Sequence, residues 1–154
     1  MQRSFGTRVL RGAVFLAVVD FLWAVVLTKL YGRPAMSVWN GVASTAFGPD
    51  MINAGAKGIA IGIAMHCTVA TTWSLIFVTA ETKLKALRDL TATTGGALLV
   101  AVIYGPIIWI VMSGLVIPTM THRALTVTGR WFIQLAGHAV FVGPPVVFGG
   151  RQQA

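Results

Sequence analysis

The chain has 154 residues, 56% of them hydrophobic and 10% charged, with a mean hydropathy of +0.78 and a formal charge of +8. A water-soluble domain devotes about a quarter of its residues to charge, so this composition excludes an ordinary soluble protein. The single cysteine, Cys67, excludes an internal disulfide and any Cys-rich metal site.

Twelve Lys and Arg stand against four Asp and Glu. In a soluble chain that excess would suggest nucleic acid. Here the basic residues lie mostly outside the apolar blocks, where they meet lipid headgroups and set topology. The partner implied is the lipid bilayer, with no nucleic acid.

About 20 apolar residues cross roughly 30 Å of hydrocarbon. The first segment of that kind lies near residues 12–30, GAVFLAVVDFLWAVVLTKL. The basic stretch before it, MQRSFGTRVLRG, has the look of a signal peptide, but Asp20 interrupts the apolar run and no small-x-small cleavage site follows. An uncleaved span is expected.

In the connection that follows, Met36, Trp39, Val42, Ala43, Ala46 and Phe47 recur at helical spacing. They predict a short amphipathic helix on the membrane surface, either an anchor for the loop or a lid. Gly48-Pro49 should stop it, and Asp50 then stands where it can cap the next helix. The second span is expected near 57–79, and the third near 95–117, separated by TKLKALRD. Glu81 and Asp89 alternate there with Lys83, Lys85 and Arg88, which reads as a solvated linker. The fourth span is expected near 131–149, with Pro144-Pro145 bending or ending it about a turn early. Trp131, beside Arg130, reads as an interfacial anchor.

The fold class is therefore all-α: a single domain over residues 1–154, built as an integral membrane bundle of four transmembrane helices. With the N-terminus inside, that side holds Arg3, Arg8, Arg11, Lys83, Lys85, Arg88 and Arg151. The other holds Lys29, Arg33, Lys57, Arg123 and Arg130. The bias favours both termini in the cytoplasm.

At about 1.5 Å per residue, Asp20, Tyr104, His66 and His138 each fall near the centre of a separate span. Ionisable groups in hydrocarbon usually face the bundle interior or a water-filled cavity. Gly58, Gly62, His66 and Ala70 recur every four residues, so His66 shares a small-residue face where another backbone can come close. Gln134 and His138 are four apart with Gly137 beside them, and Ala13, Ala17, Asp20 and Ala24 form a similar stripe. The candidate site is a mid-membrane cluster of Asp20, His66, Tyr104, Gln134 and His138, with Gly58, Gly62 and Gly137 as packing positions.

Several readings of that cluster stay open. It could carry protons or a small solute, a role for which four spans would need an oligomer. It could equally be polar glue in a structural or accessory subunit of a larger membrane complex, since interhelical hydrogen bonds average about 0.6 kcal/mol. His66 and His138 as haem ligands form a minor alternative, and Asp20, His66 and His138 as zinc ligands a lesser one. No cofactor is expected. The chain carries no Gly-rich phosphate loop, Ser-His-Asp pattern or paired catalytic carboxylates, which points away from an enzyme.

The run SVWNGVASTAFGPD, then GAKGIAIGIAMH, then GLVIP at the close of the third span and QLAGHAVF in the fourth resembles the YagU-like group of small four-span bacterial membrane proteins of uncharacterised function. The match covers about residues 37–142. It implies an inner-membrane location and four helices, and it singles out His66 and the Gly137-His138 pair. Asp20 lies outside it. The resemblance implies no substrate, cofactor or reaction.

Overall fold

The computed structural model describes residues 3–152, so the outermost positions of the expected 1–154 domain lie outside the described residues. Helix α1 spans Phe5–Leu30, α2 Ser37–Phe47, α3 Gly55–Lys83 and α4 Lys85–Thr91. Helix α5 runs Thr94–Thr121 and α6 Gly129–Gly150. Four of these, α1, α3, α5 and α6, are long and apolar enough to cross a membrane. The chain is a multi-pass membrane protein.

Local chemistry sets the ends. Ser4 caps α1 by accepting from the Thr7 N–H, and Thr93 caps α5 by accepting from the Gly96 N–H at 3.0 Å. Gly48, at φ 89°, ends α2 in a backbone conformation that a side chain disfavours, and Pro49 follows it. Leu10, Val14, Val18, Leu22, Val26 and Leu30 are all exposed along one side of α1. In water such a stripe would be a large apolar patch; here it is the lipid face.

Helix α6 is the most buried span. It packs against α1 on one side and α5 on the other, while α3 packs on α1. Small residues make the crossings close. A Cβ on Gly105 would run into the His138 carbonyl, and one on Gly143 into the Ala101 carbonyl. Gly149 sits against the Gly12 backbone, so α1 and α6 also meet nearly bare. Phe77, Val78, Ala97, Ala101, Val146 and Val147 fill the half of the bundle that carries the chain ends.

Five expectations need correction. First, α2 does not lie on the surface. Trp39, Asn40 and Ala43 are buried, and Trp39 stacks on Phe21 of α1 at 4.7 Å. The glycines of α3 permit this, because a Cβ on Gly62 would strike the Trp39 carbonyl and one on Gly58 would strike Asn40. Second, Asp50 is not the cap of α3. It lies in a 3₁₀ turn over Pro49–Asn53, and Ala54 precedes α3.

Third, the prolines do not end the last span. Residues His138–Val142 form a π turn in which the Gly143 N–H bonds to the His138 carbonyl, so the helix absorbs Pro144-Pro145 at the start of its next segment. The same device, over Met112–Val116, precedes Pro118 in α5. Fourth, the TKLKALRD linker is itself structured, since most of it folds as α4.

Fifth, Glu81 is not solvated. Helix α3 runs past residue 79, and Glu81 is fully buried against the Arg8 guanidinium. Its other oxygen accepts from the Gln152 N–H at 2.9 Å, while Arg8 Nε donates to the Gly150 carbonyl at 2.8 Å. One ion pair therefore ties together α1, α3 and the end of α6.

Candidate functional site: a half-membrane cavity

The other half of the bundle is hollow. Beyond the point where the Tyr104 hydroxyl donates to the Trp73 carbonyl at 2.9 Å, a cavity of about 650 Å³ lies between α3 and α5. Helix α2 covers it, and α1 and α6 form its back wall. Leu16, Ala70, Ile108 and Val142 belong both to its floor and to the dry core. The cavity thus stops at about mid-membrane.

Asp20, His66, Gln134 and His138 all line this space, so the structure brings four of the five expected side chains to one cavity. Tyr104 is the exception. Its ring packs against Trp73 and Phe77 in the core below, and its hydroxyl is spent on Trp73.

His66 is oriented by α1. Its Nε2 lies 3.0 Å from the Ala17 carbonyl, and a carbonyl can only accept, so Nε2 carries a hydrogen. Nδ1 then faces Asp20 Oδ2 at 3.7 Å. Both side chains are mostly buried, at 11% and 23% exposure. The Trp39 ring covers the imidazole at 5.0 Å between centroids.

His138 is fixed differently. Its Nδ1 donates to the Gln134 carbonyl at 2.8 Å, one turn back on its own helix, and the Trp109 ring packs on it at 4.9 Å. The Gln134 side-chain oxygen accepts from Trp23 Nε1 at 3.0 Å, which joins α6 to α1. Gly137 makes room for this, since a Cβ there would meet the Trp23 indole at 2.6 Å. All three packing glycines therefore lie at close approaches. Gly58 and Gly62 serve α2, whereas Gly137 serves a tryptophan.

Axial haem ligation through His66 Nε2 would have to break its bond to Ala17. Among the described residues, no three His, Cys, Asp or Glu side chains are grouped so as to hold a metal ion. His122 lies outside the cavity, at the left-handed end of α5.

Sequence reasoning missed Trp39 and Trp109 as walls of the site. The indole N–H groups of both are buried without an acceptor in the chain. Trp39 had a legible signal, since it sits on the apolar face of a short helix facing a Gly-x-x-x-Gly stretch. Trp131, at the start of α6, donates to Ser113 at 3.0 Å and ties α6 to α5.

No family model, curated protein or solved structure matches the chain.

Proposed function

We propose that this protein binds a small, mainly apolar molecule bearing a polar group, taken into the half-membrane cavity and met there by Asp20, His66, Gln134 and His138. The observation that carries this reading is the convergence of those four side chains, from three spans, on one cavity of about 650 Å³. That volume lies within the 300–1,000 Å³ typical of ligand pockets, which are mostly apolar with a few placed polar groups. The Asp20–His66 pair offers a carboxylate oxygen and an imidazole nitrogen to the polar group of that molecule. A pathway through a single chain is disfavoured, because the floor of the cavity is close-packed. Transport therefore requires a second conformation or a second copy of the chain.

Three histidines make the test direct. In lipid nanodiscs, 1-naphthol serves as an uncharged aromatic probe. It should shift the ¹⁵N imidazole resonances of His66 and His138 and leave His122, outside the cavity, unmoved. Unmoved His66 and His138 signals at saturating naphthol would sink the reading.

A second reading has its own observation. The bonds from His66 to Ala17 and from Trp23 to Gln134 each join two spans. This is the pattern of polar glue in a structural subunit of a larger complex or homo-oligomer. It is favoured if naphthol leaves the imidazoles unmoved while His66→Ala lowers stability or loses a co-purifying partner.

Membership of the YagU-like group, with a bacterial inner-membrane location, belongs to the same proposal. It rests on the order of the Gly-Pro, His, Gly-Leu-x-x-Pro and Gly-His motifs. Cytoplasmic termini are proposed from the balance of basic residues. A cysteine placed in the loop at 122–128, in a Cys67→Ser background, should react with an impermeant thiol reagent added outside.

A further inference from the structure

A second cavity, of about 490 Å³, adjoins the first. The two share Thr45, Trp109, Ile117 and Gln134 as common wall, so they lie side by side with two chemistries. The outer part is lined by Ser113, Thr121, Thr126, Thr128, Arg123 and Arg130. The inner part is apolar apart from the four mid-membrane side chains and the flanking threonines. Among the described residues neither arginine pairs with a carboxylate; the ion pairs are Arg8–Glu81, His66–Asp20 and Lys85–Asp89. Arg130 rests on the Tyr31 ring, 3.8 Å from its centroid. Two guanidinium groups without acidic partners therefore stand at the membrane-edge end of an apolar slot.

The slot also opens sideways. Ala64 and Thr68 on α3 and Met120 on α5 line the cavity and are exposed, which marks where it opens. From Ile108 to Thr121 the α5 wall rises about 20 Å at 1.5 Å per residue, somewhat more than half of the roughly 30 Å hydrocarbon layer. A lipid of the adjoining leaflet covers that same depth.

We infer that the molecule bound is an anionic lipid drawn from the surrounding bilayer. Its phosphate sits between Arg123 and Arg130, and one acyl chain passes Trp109 into the main cavity. The inference rests on the proposed binding role but places the ligand's polar group at Arg123 and Arg130, with Asp20, His66, Gln134 and His138 lining the end of the cavity that the chain enters. Guanidinium groups match phosphate oxygens through paired hydrogen bonds, and basic pockets between membrane helices are a known form of anionic-headgroup site. Trp109, whose N–H is buried without an acceptor, lies in the wall common to both parts.

The test uses the full chain in neutral detergent, with lipid retention read by native mass spectrometry. The probes are phosphatidylglycerol and phosphatidylcholine of identical acyl chains, and glycerol 3-phosphate as the headgroup alone. One phosphatidylglycerol per chain should bind at least tenfold more tightly than phosphatidylcholine. Arg123→Gln with Arg130→Gln should remove that preference, and Ala64→Trp, which fills the sideways opening, should weaken both lipids at least tenfold. Should Ala64→Trp fail to fold, Thr68→Trp on the same lip gives the same readout.

Equal binding of both lipids, still lost on filling the cavity, overturns the anionic ligand and leaves the binding role standing. Phosphatidylglycerol retained despite the filled cavity, or glycerol 3-phosphate bound as tightly as the lipid, overturns the inference by reducing the site to a surface phosphate contact. Retention of neither lipid overturns it as well, and the naphthol response then decides whether the binding role falls with it.

Discussion

The two halves of this bundle are built from the same kinds of residue and do opposite things with them. Around the chain ends, small residues are used to eliminate space: Gly12 meets Gly149, Gly105 meets the His138 carbonyl, and Phe77, Val146 and Val147 fill what remains. In the other half, small residues admit aromatic ones. Gly62 admits the α2 backbone at Trp39 and Gly137 admits the Trp23 ring, and a cavity is left between the helices. Polar groups divide the same way. Arg8 and Glu81 are satisfied by each other and by backbone groups. Asp20 and His66 stand 3.7 Å apart, beyond hydrogen-bond distance, on the wall of the cavity. Stability is concentrated in the first half and chemistry in the second.

The largest test of that division is Glu81→Ala. It leaves the Arg8 guanidinium buried without its counter-charge, and breaking a buried pair from one side costs about 3–5 kcal/mol. Denaturant unfolding in lipid–detergent micelles should register a loss of that size. Arg8→Met combined with Glu81→Leu should recover most of it, since a buried pair replaced by apolar groups is often neutral. Asp20→Asn, in the hollow half, should lose no more than about 1 kcal/mol, in keeping with interhelical polar contacts in membranes. A comparable loss at Asp20 and Glu81 would erase the distinction.

A smaller effect sharpens the comparison by asking how far each half unfolds alone. Gly105→Ala pushes a methyl group into the backbone of α6, and overpacking of this kind costs about 1–3 kcal/mol. The loss should be global, because α5 and α6 are fixed at that crossing. Gly62→Ala makes an equally close clash, but with α2 only. Its expected result is faster amide exchange over 37–47, with α1, α5 and α6 still protected. Equal exposure of all helices in Gly62→Ala would show that α2 belongs to the same cooperative unit as the packed half.

Much of this was legible in the sequence because bilayer thickness constrains it. Span lengths followed from apolar runs, and the Gly58, Gly62, His66, Ala70 stripe correctly marked the inward face of α3. Carrying that stripe on at helical spacing through Ser74, Phe77 and Val78 reaches Glu81, so its burial was readable too. It was obscured by the basic residues around it, which suggested solvent. Helix α2 was harder. Eleven amphipathic residues suit a membrane surface and a shallow groove equally well, and what decides is the fit of Trp39 to Gly62, a tertiary fact. The π turns left no trace either, because shifting a hydrogen bond from i−4 to i−5 alters no residue type. Tyr104 failed as a site residue for a related reason: depth was predictable, but rotation about α5 was not.

The smallest expected effect lies at the same end of the molecule as the largest, and the two pairs differ sharply in burial. Lys85 and Asp89 form an ion pair at i, i+4 on α4, with side chains 78% and 57% exposed. Water screens such a pair and its side chains lose freedom to make it, so it contributes about 0.3–0.5 kcal/mol. Lys85→Ala should therefore shift unfolding by no more than that, and high salt should shrink the difference further. Arg8–Glu81 contains the same kinds of charge, yet it lies out of reach of screening ions, and the loss caused by Glu81→Ala should persist in the same salt. If salt weakened both losses equally, water would be reaching Glu81, and the packed half would be as open as the half that holds the cavity.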